Sequence, residues 1–357
     1  MTTTYDAATR SSASRGTRNQ AMECCKMLAA ILVVFLHVNF PGRAGVYISC
    51  LGCCAVPLFF AITGYFNYNA DCRALVRRLK HNLGLYVLAS SVNLLYGICA
   101  TEWLGGSTVA YLIQFIPKPD ELAGWFVFHA SPRLRQLWYL TAACICYFFL
   151  WLYVRFFGKE PVDYRPLYGI GAGLFPIFLA FGVLAPAVGM DVPYHLYLNG
   201  FFMGLPIFIF GIFLHQYQDR ILTNYSLSAK KLIALTLLGV FLSILQGLSI
   251  GMGQVTMGGL IGIAALMLLM ISHPAVTGPS GIWKKCVSKL GSWSAYMYLF
   301  HITVSLFYSQ FLQETVAGAI PEREPYLRPL IVLTLSFLTA VIAERIEWLL
   351  KRIHRRG

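Results

Sequence analysis

The sequence has few charged residues, and few of those are acidic. Charged side chains make up 12% of the 357 residues, and 15 Asp and Glu stand against 28 Lys and Arg, a formal net charge of +13. Hydrophobic residues make up 57% of the chain. A soluble domain cannot bury that much apolar surface, so the composition predicts an integral membrane protein.

The chain also lacks the motifs of several common enzyme classes. It contains no Gly-rich phosphate loop, no Gly-x-Ser-x-Gly elbow, no haem or dinucleotide-binding signature and no visible internal repeat. Its ten cysteines have no matching histidines at the spacing of a zinc site. We therefore expect the cysteines to be small apolar packing residues, and we expect no metal.

Apolar stretches long enough for a bilayer-spanning helix recur about ten times along the chain. They predict an all-α polytopic membrane protein with spans at residues 21–40, 46–68, 83–103, 136–157, 167–189, 199–217, 231–250, 253–272, 290–312 and 326–350. Residues 1–20 are predicted to be a disordered cytoplasmic tail, 21–350 the membrane domain and 351–357 a basic cytoplasmic tail.

The distribution of basic residues predicts the orientation. If ten spans begin in the cytoplasm, 22 of the 28 Lys and Arg lie inside and six lie outside. This bias favours two cytoplasmic termini and an even number of spans. The positive charge then reflects topology and contact with anionic membrane lipid, and we expect no nucleic-acid partner.

Two ionisable residues interrupt the first apolar stretch. Lys26 and His37 are eleven residues apart, which places them on nearly the same face of a helix and about 16 Å apart along its axis. Ionisable groups in a membrane are costly and usually functional. The structural alternative is that Lys26 snorkels to the inner surface and that His37, like His301 in the ninth stretch, only packs against a neighbouring helix.

Further motifs surround this pair. Pro57-Leu-Phe-Phe-Ala-Ile-Thr-Gly-Tyr65 ends the second stretch, where we expect Pro57 to kink the helix, Thr63 to bond the freed carbonyls and Gly64 to allow close helix packing. A basic segment follows, which is either ordinary positive-inside bias or a clamp for a phosphate-bearing donor. Its cations are Arg73, Arg77, Arg78 and Lys80.

Taken together, these segments resemble the integral-membrane acyltransferase-3 family. The resemblance rests on short motifs that occur in the family's order: Lys26-x10-His37, Pro57–Tyr65, Arg77-Arg78, Leu137-Trp138-Tyr139-Leu140, Gly200–Gly211 and Gly291–His301. It implies about ten transmembrane helices around an internal acyl-donor pore. It also implies a multi-pass enzyme of the bacterial inner membrane that acylates extracytoplasmic acceptors.

The resemblance assigns roles to individual residues. Lys26 would help to hold the acyl donor, His37 would be the catalytic residue, and the arginines, with Arg73 beside the Arg77-Arg78 pair, would contact the phosphates of acetyl-CoA or another acyl-CoA. Lys26 stands where the family often has Arg, and a lysine offers a point charge without the bidentate fork of a guanidinium. The supporting pore residues would be Tyr139, Asn199, Ser294, Tyr298 and His301.

The implied reaction moves an acyl group, acetyl or succinyl, from cytoplasmic acyl-CoA to a hydroxyl of an extracytoplasmic glycan or lipid-linked glycan. His37 would act as general base, and an acyl-imidazole intermediate is the alternative. We expect no appended extracytoplasmic domain, so the transfer is either direct or finished by a separate extracytoplasmic transferase. The competing hypotheses are a transporter or exporter, and a structural subunit of a polysaccharide assembly complex.

Overall fold

The protein is built from helices. A computed structural model describes residues 19–116, 135–158, 162–249, 255–275 and 281–354, and no strand occurs among them. The predicted tails lie largely outside these residues, at 1–18 and 355–357. The helices are α1 Gln20–His37, α2 Gly42–Gly52, α3 Ala55–Tyr65, α4 Cys72–Trp103, α5 Thr108–Ile113, α6 Trp138–Phe157, α7 Arg165–Leu179, α8 Leu205–Asn224, α9 Ala229–Ser249, α10 Met257–Ser272, α11 Gly281–Phe307, α12 Gln313–Ala319 and α13 Glu324–His354.

Eight helical segments of the described chain are long and apolar enough to cross a bilayer. They coincide with the first seven predicted spans and the tenth. The eighth predicted span corresponds to the shorter apolar helix α10, and the ninth to α11, which is not among the eight. The all-helical membrane architecture is thus confirmed, whereas the count of ten, the orientation and the internal pore stay predictions.

The second predicted span is two helices, α2 and α3, which meet at Cys53 and Cys54. Pro57 therefore lies in the first turn of α3, where a missing backbone N–H costs nothing because that group has no partner within the helix. Thr63 was expected to bond backbone carbonyls that Pro57 frees. Its hydroxyl instead lies 3.2 Å from the hydroxyl of Tyr139 on α6.

Helix α4 begins earlier than its predicted span. The carboxylate of Asp71 accepts a hydrogen bond from the backbone N–H of Ala74 at 2.6 Å and caps the helix there. At 32 residues, α4 is about 48 Å long, compared with about 30 Å for the hydrocarbon core. Because charged groups are costly in hydrocarbon, we expect its basic first third to extend beyond it, on the side predicted to be cytoplasmic.

Helix α1 packs against α11 and α3, and α3 packs against α8. The α3–α8 contact depends on two glycines, as expected for Gly64. A Cβ atom on Gly64 would lie 1.8 Å from the carbonyl oxygen of Phe208, and one on Gly211 would lie 2.1 Å from that of Ala61. Only glycine permits this approach, so the two glycines set how closely α3 and α8 pack.

Candidate active site

A pair of histidines lies where α1 meets α11. His37 is the last residue of α1, and its ring centroid lies 5.0 Å from that of His301, with the two ring planes at 44°. The His37 side chain is exposed to a cavity, whereas His301 is fully buried. The structure thus brings together two side chains that are 264 residues apart in the sequence (301 − 37).

The hydrogen bonding of His301 fixes which ring nitrogen carries a proton. Its Nδ1 lies 2.8 Å from the carbonyl oxygen of Tyr298, one turn earlier in α11. A carbonyl oxygen only accepts, so Nδ1 must donate. The other ring nitrogen, Nε2, is buried and has no hydrogen-bond partner among the described residues. In the neutral ring Nε2 is an acceptor, next to the ring of His37.

His37 lines a cavity of about 320 Å³ with a mixed polar and apolar wall. Its polar contributors are the side chains of Asn39, Ser49, Gln136 and Tyr298, and the Ser49 hydroxyl donates to the Asn39 side chain at 2.9 Å. Small-molecule sites typically combine a mainly apolar wall with a few such groups. The apolar contributors include Val33, Leu36, Val56, Trp138, Leu198 and Met203.

Three aromatic rings form a cluster beside this cavity, and one of them, Tyr298, lines it. Phe59, Tyr139 and Tyr298 contact one another with centroid separations of 5.7, 6.3 and 5.6 Å. The Tyr298 hydroxyl donates to the backbone carbonyl of Gln136 at 2.5 Å. On α3, Phe59 lies between Val56, which lines the cavity, and Thr63, which is one turn nearer the C-terminal end of the helix. We call these three rings the aromatic floor.

Lys26 lies near the other end of α1. Its ammonium group is 3.1 Å from the carboxylate of Glu23, which is almost fully buried, and 5.4 Å from the centre of the Phe66 ring. Buried ion pairs need geometry this close to offset the loss of hydration. The lining of the His37 cavity includes neither Lys26 nor Arg78, so the cavity does not extend to these two cations.

Arg78 contacts Phe66, the residue after α3 that Lys26 also contacts. Its guanidinium donates to the backbone carbonyl of Phe66 at 3.1 Å and to the side chain of Asn67 at 2.6 Å. Asn67 is buried and donates in turn to the carbonyl of Thr63 at 2.7 Å. Lys26 and Arg78 therefore both contact Phe66, at the junction of α3 and α4.

Arg73 and Arg77 lie elsewhere. Both line an open groove of about 520 Å³ between α4 and α6, together with Lys80 and Arg155. Residues 77 and 78 are adjacent in a helix, so their side chains point about 100° apart. The structure thus divides the predicted Arg77-Arg78 pair between two sites.

Two of the predicted supporting residues form hydrogen bonds with nearby backbone groups. The buried Asn199 side chain accepts from the N–H groups of Phe201 and Phe202 at 2.9 Å and donates to the carbonyls of His195 and Leu196 at 3.1 Å. The buried Ser294 hydroxyl donates to a carbonyl one turn earlier, that of Gly291, at 2.9 Å. Neither lines the His37 cavity, whereas Tyr298 lines it and Tyr139 supports it.

Sequence reasoning missed four residues of the two regions: Glu23, Asn39, Asn67 and Gln136. Each is a polar residue beside a motif that was recognised. Asn39 follows His37 by two positions, and Gln136 immediately precedes Leu137-Trp138-Tyr139-Leu140. The signal that could have identified them was a polar residue at the end of an apolar stretch. A polar group buried there needs a hydrogen-bond partner, so it points to a polar site. Among the described residues, no three His, Cys, Asp or Glu side chains are grouped as metal ligands.

The fold and the site define a polytopic helical membrane protein with two neighbouring histidines beside a polar cavity. A family model described as an acyltransferase domain, acyltransferase 3, matches residues 19–344, nearly the whole chain. The chain belongs to this acyltransferase family and is a multi-pass membrane acyltransferase. Neither a curated protein nor a solved structure shows a match to it.

Proposed function

We propose that the protein is a membrane O-acyltransferase that moves an acetyl group from cytoplasmic acetyl-CoA to a hydroxyl of an extracytoplasmic glycan or other envelope acceptor. The observation that carries the proposal is the arrangement along α1. At one end of α1, His37 lines a polar cavity beside His301. At the other end, Lys26 contacts the ring of Phe66, whose backbone carbonyl accepts from Arg78.

Lys26 and Arg78 are assigned to the phosphates of the donor. Two cations that both contact Phe66 offer charge-assisted hydrogen bonds to a pyrophosphate, one of them from a planar guanidinium. The distance from Lys26 to His37, about 16 Å along the helix axis, is comparable to the length of a pantetheine arm. Arg73 and Arg77 open onto another groove, so this proposal gives them no part in holding the donor.

His37 acts as the general base in this proposal. Its neutral ring takes the proton of the acceptor hydroxyl while the hydroxyl oxygen attacks the thioester carbonyl. The new C–O bond forms, the C–S bond breaks, and His37 passes the proton to the departing sulfur of coenzyme A. No net oxidation or reduction occurs, so the reaction needs no further reactant.

His301 is a positioning residue in this scheme. Its buried Nε2 has no partner among the described residues and can accept a hydrogen bond from a ring N–H group of His37. Such a bond would hold one nitrogen of His37 protonated and leave the other free to act as base, as the third member of a catalytic triad does for its histidine.

The proposal is tested with sealed membrane vesicles that contain the protein and are supplied with acetyl-CoA labelled in the acetyl group. We expect label to accumulate in the glycan fraction and unlabelled coenzyme A to be released in equal amount. A transporter or a structural subunit would leave the label in acetyl-CoA. Labelled glycan at the same level in vesicles without the protein would overturn the proposal.

A further inference from the structure

The groove between α4 and α6 carries four cations that nothing in the described structure neutralises. Arg73, Arg77 and Lys80 lie on one face of α4, and Arg155 faces them from α6. All four side chains are exposed, and none has a hydrogen bond or ion pair within the described residues. Repulsion among like charges this close favours an anionic ligand between them.

Two acidic residues of the described chain that are close in sequence to the groove are already engaged. Asp71 caps the first turn of α4 through the N–H of Ala74. Asp163 accepts a hydrogen bond from Arg165 at 3.0 Å, and the guanidinium of Arg165 lowers the pKa of that carboxyl below its usual value. Neither carboxylate neutralises the groove, so its charge is available to a bound anion.

The surface that continues from the groove is apolar and exposed. Along the same face of α4 as Lys80 follow Leu83 and Val87, which are 50% and 55% exposed, and on α6 Phe148 is 48% exposed. The Phe148 ring stacks on that of Trp151, which lines the groove, at 5.8 Å. A ligand that fits both parts has an anionic head and long apolar chains.

We propose that this groove is a binding site for the headgroup of an anionic phospholipid, whose acyl chains lie along Leu83, Val87 and Phe148. Basic grooves between membrane helices on the cytoplasmic side suit such headgroups. A nucleotide would leave the apolar part of this surface uncovered. The proposal does not depend on the acyltransfer reaction.

The test is native mass spectrometry of the purified protein with phosphatidylglycerol and phosphatidylcholine that carry identical chains. We expect the wild-type protein to bind phosphatidylglycerol preferentially. We expect the double variant Lys80→Ala/Arg155→Ala to bind it about 25-fold more weakly, at about fivefold per lost cation. The matched control is Lys230→Ala/Arg352→Ala, which removes two exposed cations on the same predicted side, one of them 5.3 Å from the Trp348 ring.

Three results would overturn the proposal. They are equal binding of the two lipids by the wild-type protein, an equal loss in the control variant, and displacement of phosphatidylglycerol by coenzyme A. The last result would assign the groove to the phosphates of the acyl donor. Coenzyme A that binds nowhere on the protein would count against the proposed acyltransfer and would leave the lipid result unchanged.

Discussion

At the scale of single residues, the site depends on two side chains of α1 whose surroundings differ. His37 is exposed to a cavity, and Lys26 is held by the carboxylate of Glu23 and lies over the ring of Phe66. The sequence spacing predicted one stripe for both residues. It could not predict Glu23 as a partner, because an acidic residue in the first turn of a helix is explained equally well by the helix dipole.

Replacement of Lys26 by Ala should weaken donor binding more than replacement by Arg. A charge-assisted contact to phosphate contributes about 1.5 kcal/mol or more, so the KM for acetyl-CoA should rise about tenfold in Lys26→Ala. Lys289→Ala is the matched control, since Lys289 pairs with Glu344 at 3.2 Å on other helices. Steady-state kinetics measure the effect. Equal KM values for Lys26→Ala, Lys26→Arg and Lys289→Ala would remove Lys26 from the donor site.

Replacement of His301 tests the positioning role. His301→Phe keeps the ring volume but removes the acceptor at Nε2, so kcat should fall about 100-fold with little change in the donor KM. His301→Gln restores an acceptor at nearly the same place and should recover part of kcat. A packing role predicts the opposite order, because Phe fills the buried space better than Gln does. Wild-type kcat in His301→Phe would eliminate the assignment.

At the scale of helices, the α3–α8 contact fixes where the aromatic floor lies. Gly64 and Gly211 bring the two backbones together without side chains between them. Gly64→Ala should therefore lower the melting temperature of the detergent-solubilised protein, because backbone on α8 cannot move aside as a flexible side chain can. Gly173→Ala is the control, since a Cβ there meets nothing within 4 Å. Equal melting temperatures for the two variants would contradict this account of the packing.

The aromatic floor should act as the barrier between the donor cations and the His37 cavity. Phe59 contacts both Tyr139 and Tyr298, so Phe59→Ala should open the floor and raise the relative kcat/KM for donors with larger acyl groups, such as succinyl-CoA. Phe178→Ala, which also removes a fully buried ring, is the control for general loosening. An unchanged donor preference in Phe59→Ala would show that the thioester does not pass this layer.

Sequence reasoning predicted the helical segments well but not their breaks or the contacts between them. Apolar stretches of span length gave the helical segments, because the bilayer thickness sets their length. The break at Cys53 and Cys54 was not predicted, since no proline marks it, and the early start of α4 was missed although Asp71 is a typical N-cap residue. Nor could spacing along one helix show that Arg77 and Arg78 face different neighbours, which depends on how α3 and α6 pack around α4.

At the scale of the whole molecule, the topology is the main prediction still to be tested. A short epitope inserted after Gly105, between α4 and α5, should be accessible from outside the cell. One inserted after Ser226, between α8 and α9, should be accessible only from the cytoplasm. An epitope after His273, which directly follows α10, separates ten spans from eight. Cytoplasmic exposure there requires α10 to cross the membrane, and outside exposure would contradict ten spans.

The central claim is that His37 transfers an acyl group that enters from the cytoplasm. Its most direct measurement is acetyl transfer from labelled acetyl-CoA to glycan in sealed vesicles that contain wild-type, His37→Ala or His37→Gln protein, each shown to be inserted and to melt at the wild-type temperature. The account predicts that both variants bind coenzyme A normally and lose transfer by at least about 100-fold. Transfer by either variant at a rate near that of the wild-type protein would contradict it.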